Sequence, residues 1–168
     1  MKKALIIIAK HMFQDKEYAD VISVLGQAIV GTTTASSSAG EATGKFGGKT
    51  KIDITLDQVK VSDYDVIIFI GGPGADEYFN SPRAHSIAKE TVSSGKILAA
   101  ICIAPTILAN AGVLKGKKAT VFPTGSQDLT RGGANYTGTH VEIDGKIITA
   151  DGPNSANAFG QAIVKALK

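Results

Sequence analysis

The sequence predicts an α/β layered fold with a mostly parallel sheet, in one domain spanning residues 1–168. Three observations predict it. Ala4–Ala9, Val66–Ile70 and Ile97–Ile101 are short continuous aliphatic runs, the pattern of strands buried on both faces of a parallel sheet. Stretches with helical spacing alternate with these runs, as βαβ units require. A length of 168 residues with 43% hydrophobic and 20% charged residues suits one globular core and argues against disorder, collagen or a coiled coil.

The elements follow in order. After the first strand, Asp15–Leu25 places Tyr18, Val21, Ile22 and Leu25 on one helical face. A strand is expected within Ile29–Ala35, after which Gly31–Gly48, rich in Thr, Ser, Gly and Ala, gives no clear pattern. Gly47-Gly48 suits a tight turn, and the alternation Lys51-Ile52-Asp53-Ile54-Thr55 reads as an edge strand. The strand Val66–Ile70 runs into Gly71-Gly72-Pro73-Gly74, and Arg83–Ser94 reads as a helix. The strand Ile97–Ile101 ends at Cys102, where a helix begins with Pro105 in its first turn and stops at Gly112. Ala119–Phe122 reads as a strand, Val141–Ala150 as a hairpin with a type I′ turn at Asp144-Gly145, and Ser155–Leu167 as an amphipathic helix.

Composition excludes several functions. The single cysteine rules out an intramolecular disulfide framework and a Cys-based zinc site, and suits a reducing, cytoplasmic setting. Net charge is +3, and only two of the basic residues, Arg83 and Arg131, are arginines. Such a surface points to solubility rather than to nucleic acid, for which arginine is the preferred contact. No stretch approaches the roughly 20 apolar residues of a membrane span, and Ala4–Ala9 is too short for a signal peptide's apolar region. No two histidines have close metal-ligand spacing, so no metal site is expected. Gly71–Gly74 lacks the glycine spacing of a dinucleotide fingerprint. Gly40–Lys45 is one residue short of a P-loop and is followed by Phe46.

What remains is a constellation at the carboxyl ends of strands, where open α/β sheets build their sites. Lys10–Glu17, Gly71–Gly74 and Cys102–Pro105 each follow a buried strand, and neighbouring strands lie about 4.8 Å apart. Cys102 has the surroundings of a nucleophile elbow, with Ala100 and Ala104 as the small residues that a sharp strand-to-helix turn demands. Its thiol faces the new helix's N-terminus, which favours the thiolate. The amides of Gly72 and Ile103 could hold an oxyanion, with Gly71 and Pro73 as pocket walls. Of the three histidines, only His11 follows a strand's carboxyl end; it suits either a proton partner or an exposed loop. Glu17 lies about a turn into the first helix, and spacing leaves it facing the sheet tips or solvent.

Ala99-Ala100-Ile101-Cys102-Ile103-Ala104-Pro105, continuing through Leu108–Thr120, resembles the cysteine elbow and following helix of the DJ-1/PfpI superfamily. Gly71-Gly72-Pro73-Gly74, Ala9-Lys10 with the acidic helix start at Glu17, and Gly152-Pro153 fit the same family, so the resemblance covers nearly the whole chain. It implies a flavodoxin-like three-layer sandwich, a homodimer, Cys102 as the reactive cysteine and Glu17 as a protonated carboxyl beside it. Gly72 and Ile103 match the backbone donors of the family's anion pocket. The chain departs from the family at several positions. Ile103 stands where PfpI-type peptidases carry a histidine, which places the chain nearer the DJ-1-like branch. Phe122 and Asp151 stand where that branch often has histidine and arginine, Gln14 replaces a frequent acidic residue, and the His11 loop is one residue longer.

Three functions compete. Cys102, with Glu17 and His11 moving protons, could attack a small reactive carbonyl in a glyoxalase- or deglycase-type reaction that needs no metal or cofactor. Cys102 could instead act as a redox sensor or chaperone by oxidation to a sulfinic acid. The third function, a cysteine peptidase, requires a histidine from elsewhere in the chain or from a partner subunit.

Overall fold

A computed structural model describes residues 1–168. The three aliphatic runs form β1 (Lys3–Ile7), β7 (Val66–Phe69) and β8 (Ile97–Ile101), with α1 (Asp15–Gln27), α2 (Pro82–Ser93) and α3 (Pro105–Asn110) between or after them. Together with β3 (Gly31–Ser36), β6 (Ile54–Thr55), β11 (Val141–Asp144) and β12 (Ile147–Ala150) they make a seven-stranded sheet. Its order is β11-β12-β8-β7-β1-β3-β6. Every pairing is parallel except the β11–β12 hairpin.

Alternate residues of the central strands feed two cores. Ala4, Ile6, Ile68, Ala99 and Ile101 pack with Val21 and Leu25 of α1 and with Phe159 and Ile163 of α5 (Ala156–Leu167). Leu5, Ile7, Phe69, Leu98 and Ala100 face Ala84 and Ile87 of α2 and Ile107 and Leu108 of α3. The period of two on strands buried on both faces thus produces three layers. The chain leaves β1 for β3 on one side and returns to β7 on the other, so β1 marks a topological switch point.

Several sequence expectations need correction. Of the Ala119–Phe122 run only Ala119 is in a strand, β9 (Lys118–Ala119), which pairs with β10 (Asn135–Tyr136) outside the main sheet. The run Lys51–Thr55 divides between two sheets. Its start ends β5 (Lys49–Lys51), and Ile54–Thr55 becomes the outer strand β6. The residues 10–51 contain an unexpected small sheet, in which β4 (Glu41–Gly44) lies between β2 (His11–Phe13) and β5. A short helix, α4 (Ser126–Arg131), also escapes the sequence reading. The β11–β12 turn is Gly145-Lys146, and only Gly145 has positive φ (62°). A type I′ turn needs two such residues, so the turn is not of that type. No helix is long and apolar enough to cross a membrane.

Candidate active site

The carboxyl ends of β1, β7 and β8 converge around Cys102. This residue has φ 64°, a left-handed conformation rare for a side-chain-bearing residue. Two hydrogen bonds hold it there: its N–H donates to Ala150 O (2.9 Å), and its carbonyl accepts from Phe122 N (2.8 Å). Ala100 and Ala104, two positions either side, are both fully buried. The strain of the elbow is therefore fixed by its surroundings, the usual condition for its persistence.

Glu17 sits in the first turn of α1, whose N-cap Gln14 accepts a hydrogen bond from Lys16 N (2.8 Å). Its side chain is 0% exposed and turns to the sheet tips. Oε1 accepts from Gly71 N (2.9 Å), whereas Oε2 is buried with no hydrogen-bond partner of ordinary geometry. Gly71 lies between Cys102 and Glu17. A Cβ there would come within 2.5 Å of Cys102 Cβ and 2.8 Å of Glu17 Oε1. Gly71→Ala should therefore cost about 1–3 kcal/mol in stability, as overpacked buried sites do. Denaturant unfolding checks this, and an unchanged midpoint would mean that the two groups are not in tight contact.

Burial raises the Glu17 carboxyl from 4.5 to about 8; the Gly71 N–H and the Cys102 thiol act against that rise without cancelling it. Burial likewise pushes the Cys102 thiol up to about 12, and the Glu17 charge adds to the effect. The N–H groups of Gly72 and Ile103 face the sulfur and pull the other way. The helix N-terminus favours a thiolate, but desolvation beside a carboxyl dominates here. Near neutral pH both groups keep their protons.

Cys102 opens into a cleft of roughly 380 Å³, in the range of small-molecule sites. Gly72, Pro73 and Ile103 line it, whereas Gly71, expected as a pocket wall, does not and is packed instead against Cys102 Cβ and Glu17. Gln14, Lys45, Asp76, Phe79, Phe122, Thr124 and Pro153 complete the wall. Gln14 and Phe122 stood out in the sequence only as departures from a family pattern. Lys45 and Asp76 carried no sequence signal, because loop placement alone brings them there. His11 is exposed on β2 and lines a separate hollow with Lys10 and Glu77. His85 Nε2 meets Phe79 O (2.8 Å), and His140 Nδ1 meets Asp151 Oδ2 (2.9 Å). None of the three imidazoles lines the cleft.

Comparison with known proteins bears on the family and the fold. The DJ-1/PfpI family profile matches residues 2–166. A deglycase of Pyrococcus horikoshii is 35% identical over 80% of this chain and 81% of its own. A glutathione-independent glyoxalase of Caenorhabditis elegans is 32% identical over 99% of this chain and 89% of its own. The crystal structure of a ThiJ/PfpI domain protein from Brachyspira murdochii superposes with a TM-score of 0.96 at 32% identity, covering 98% of this chain and 95% of that one. The three-layer sandwich is thus the flavodoxin-like fold of these proteins, and the chain belongs to the DJ-1/PfpI family.

Proposed function

We propose that the protein converts small 2-oxoaldehydes such as methylglyoxal to 2-hydroxy acids, with Cys102 as nucleophile and Glu17 as proton shuttle. One observation carries this reading: a fully buried carboxyl, tied down at Oε1 and unpartnered at Oε2, beside a cysteine strained into an elbow. The glyoxalase and deglycase names of relatives support an enzyme of this general kind.

The chemistry balances without a metal or cofactor. Cys102 Sγ adds to the aldehyde carbon, forming an S–C bond, and the thiol proton reaches the aldehyde oxygen by way of the Glu17 carboxyl. The product is a hemithioacetal. The carboxyl can accept a proton at one oxygen and release one from the other, so it then relays the C1 hydrogen to C2 and the hydroxyl proton to the C2 oxygen. This yields a thioester. One water hydrolyses the thioester, releases the hydroxy acid and returns a proton to sulfur. The N–H groups of Gly72 and Ile103 that face the sulfur would serve as donors to an oxyanion formed on the carbon bonded to it. Glu17 remains uncharged near neutral pH because it is buried, which suits it to general acid work.

His11 has no place in this proton path, since it opens to a different hollow. Peptidase chemistry lacks an imidazole in the cleft. The unpartnered Oε2 also favours a second reading: a sulfinate on Cys102 would give that oxygen's proton an acceptor. An assay of purified protein with methylglyoxal, in the absence of glutathione and metal, tests the main reading. Lactate is the expected product, and no lactate above the uncatalysed rate rejects the reading.

A further inference from the structure

We propose that the turn joining β4 to β5 forms a specificity wall of the cleft, and that its Lys45 receives the anionic end of the substrate. The site would then take small aldehydes carrying a carboxylate. This inference rests on the reading of Cys102 as the nucleophile.

The turn is built around one carboxylate. Asp15 Oδ2 accepts from Phe46 N (2.8 Å), and its Oδ1 accepts from Gly48 N (2.8 Å). Lys45 N donates to Phe13 O (2.8 Å), which ties the turn to β2 as well. The turn presses so closely that a Cβ on Gly44 would lie 2.5 Å from Asp15 Cγ, and one on Gly48 would also strike the carboxylate. Glycine is needed at both positions for contact rather than for chain flexibility. Asp15 and Glu17 share the first turn of α1, so one rigid turn sets both the clasp and the buried carboxyl of the reactive pair.

Lys45 lines the Cys102 cleft and forms no ion pair. Its ammonium stands 5.4 Å from the Phe46 ring centroid, a contact that holds a cation without neutralising it. Asp76 also lines the cleft, but it belongs equally to the hollow of Lys10 and Glu77 and so lies on the ridge between the two. Lys45 is the only cation on the cleft wall. Cys102 and Lys45 share the lining of one small cleft, so a substrate carboxylate drawn to the lysine would orient its aldehyde toward the sulfur.

The single cysteine permits a test that needs no turnover. Iodoacetate and iodoacetamide are nearly the same size and differ in charge. With either reagent sulfur bonds to the methylene carbon, iodide leaves and the thiol proton passes to solvent. Intact mass distinguishes the two products. The ratio of the iodoacetate rate to the iodoacetamide rate should fall about fivefold in Lys45→Met, the weight of one exposed ion pair at its upper range. Added salt should lower the wild-type ratio, and Lys89→Met, on α2, should leave it unchanged. An unchanged ratio in Lys45→Met overturns the inference while leaving Cys102 as the nucleophile. Turnover gives a parallel readout: the kcat/KM ratio of 4,5-dioxopentanoate to 2-oxohexanal should fall in Lys45→Met. Absence of turnover with both 4,5-dioxopentanoate and 2-oxohexanal overturns the proposed function, and this inference with it.

Discussion

Cys102→Ser should reduce methylglyoxal conversion by on the order of 10³-fold or more, the scale seen when a covalent nucleophile is removed. The substitution keeps a side chain of similar shape at the left-handed elbow, so the hydrogen bonds to Ala150 O and from Phe122 N remain available. What it removes is the polarisable sulfur and its more acidic proton, which the hydroxyl does not replace. Thermal unfolding supplies the control. A midpoint close to that of wild type, with turnover gone, locates the loss in the chemistry. Residual turnover near the wild-type rate would mean that another group attacks the carbonyl.

Glu17→Gln should lower turnover by about 10²–10⁴-fold, the usual contribution of a positioned acid–base group, and yet stabilise the fold at alkaline pH. The sign follows from the raised folded-state pKa. Between 4.5 and about 8 the unfolded chain has released the Glu17 proton while the folded protein still holds it. The folded state therefore loses relative stability as pH rises through this window. At 1.36 kcal/mol per unit, the whole shift corresponds to roughly 5 kcal/mol. Glutamine resembles the protonated acid, with an oxygen for Gly71 N–H and donors toward sulfur, and it never ionises. The stability difference between Glu17→Gln and wild type should thus grow steadily in favour of the variant from pH 5 to pH 8. Parallel pH profiles would mean that Glu17 is solvated in the folded protein. A variant that is more stable and nearly inactive is the pattern expected where a buried ionisable group is kept for function.

The legible part of this fold was the part that speaks through local apolar patterns. The strands β1, β7 and β8 are continuous aliphatic runs because both faces are covered, and their ends place the glycine loop and the elbow. The small sheet of β2, β4 and β5 left no such trace. Its strands are three or four residues long, carry Thr and Lys rather than an aliphatic run, are partly exposed, and include a pairing across a long separation, His11 with Thr43. α4 buries only Leu129, too little for a helical stripe. The orientation of Glu17 was open for a related reason. The expected face of α1 ran through Tyr18, Val21, Ile22 and Leu25, whereas the buried set is Glu17, Val21, Val24 and Leu25. A rotation of the helix face by one residue decides whether the carboxyl meets sulfur or solvent. Lys45 reached the cleft through the Asp15 clasp, contacts to Phe46 and Gly48 across 31 and 33 residues that no spacing rule describes.

The proton on Glu17 is the centre of the account, and a carbon-13 NMR titration of the glutamate side-chain carboxyls measures it directly. The sequence contains five glutamates. One carboxyl should titrate near pH 8 in wild type, and that signal should be absent from Glu17→Gln. Five carboxyls all titrating near the ordinary 4.5 would contradict the account, because the relay has the carboxyl release one proton as it takes another, and a carboxylate ionised at neutral pH holds none to release.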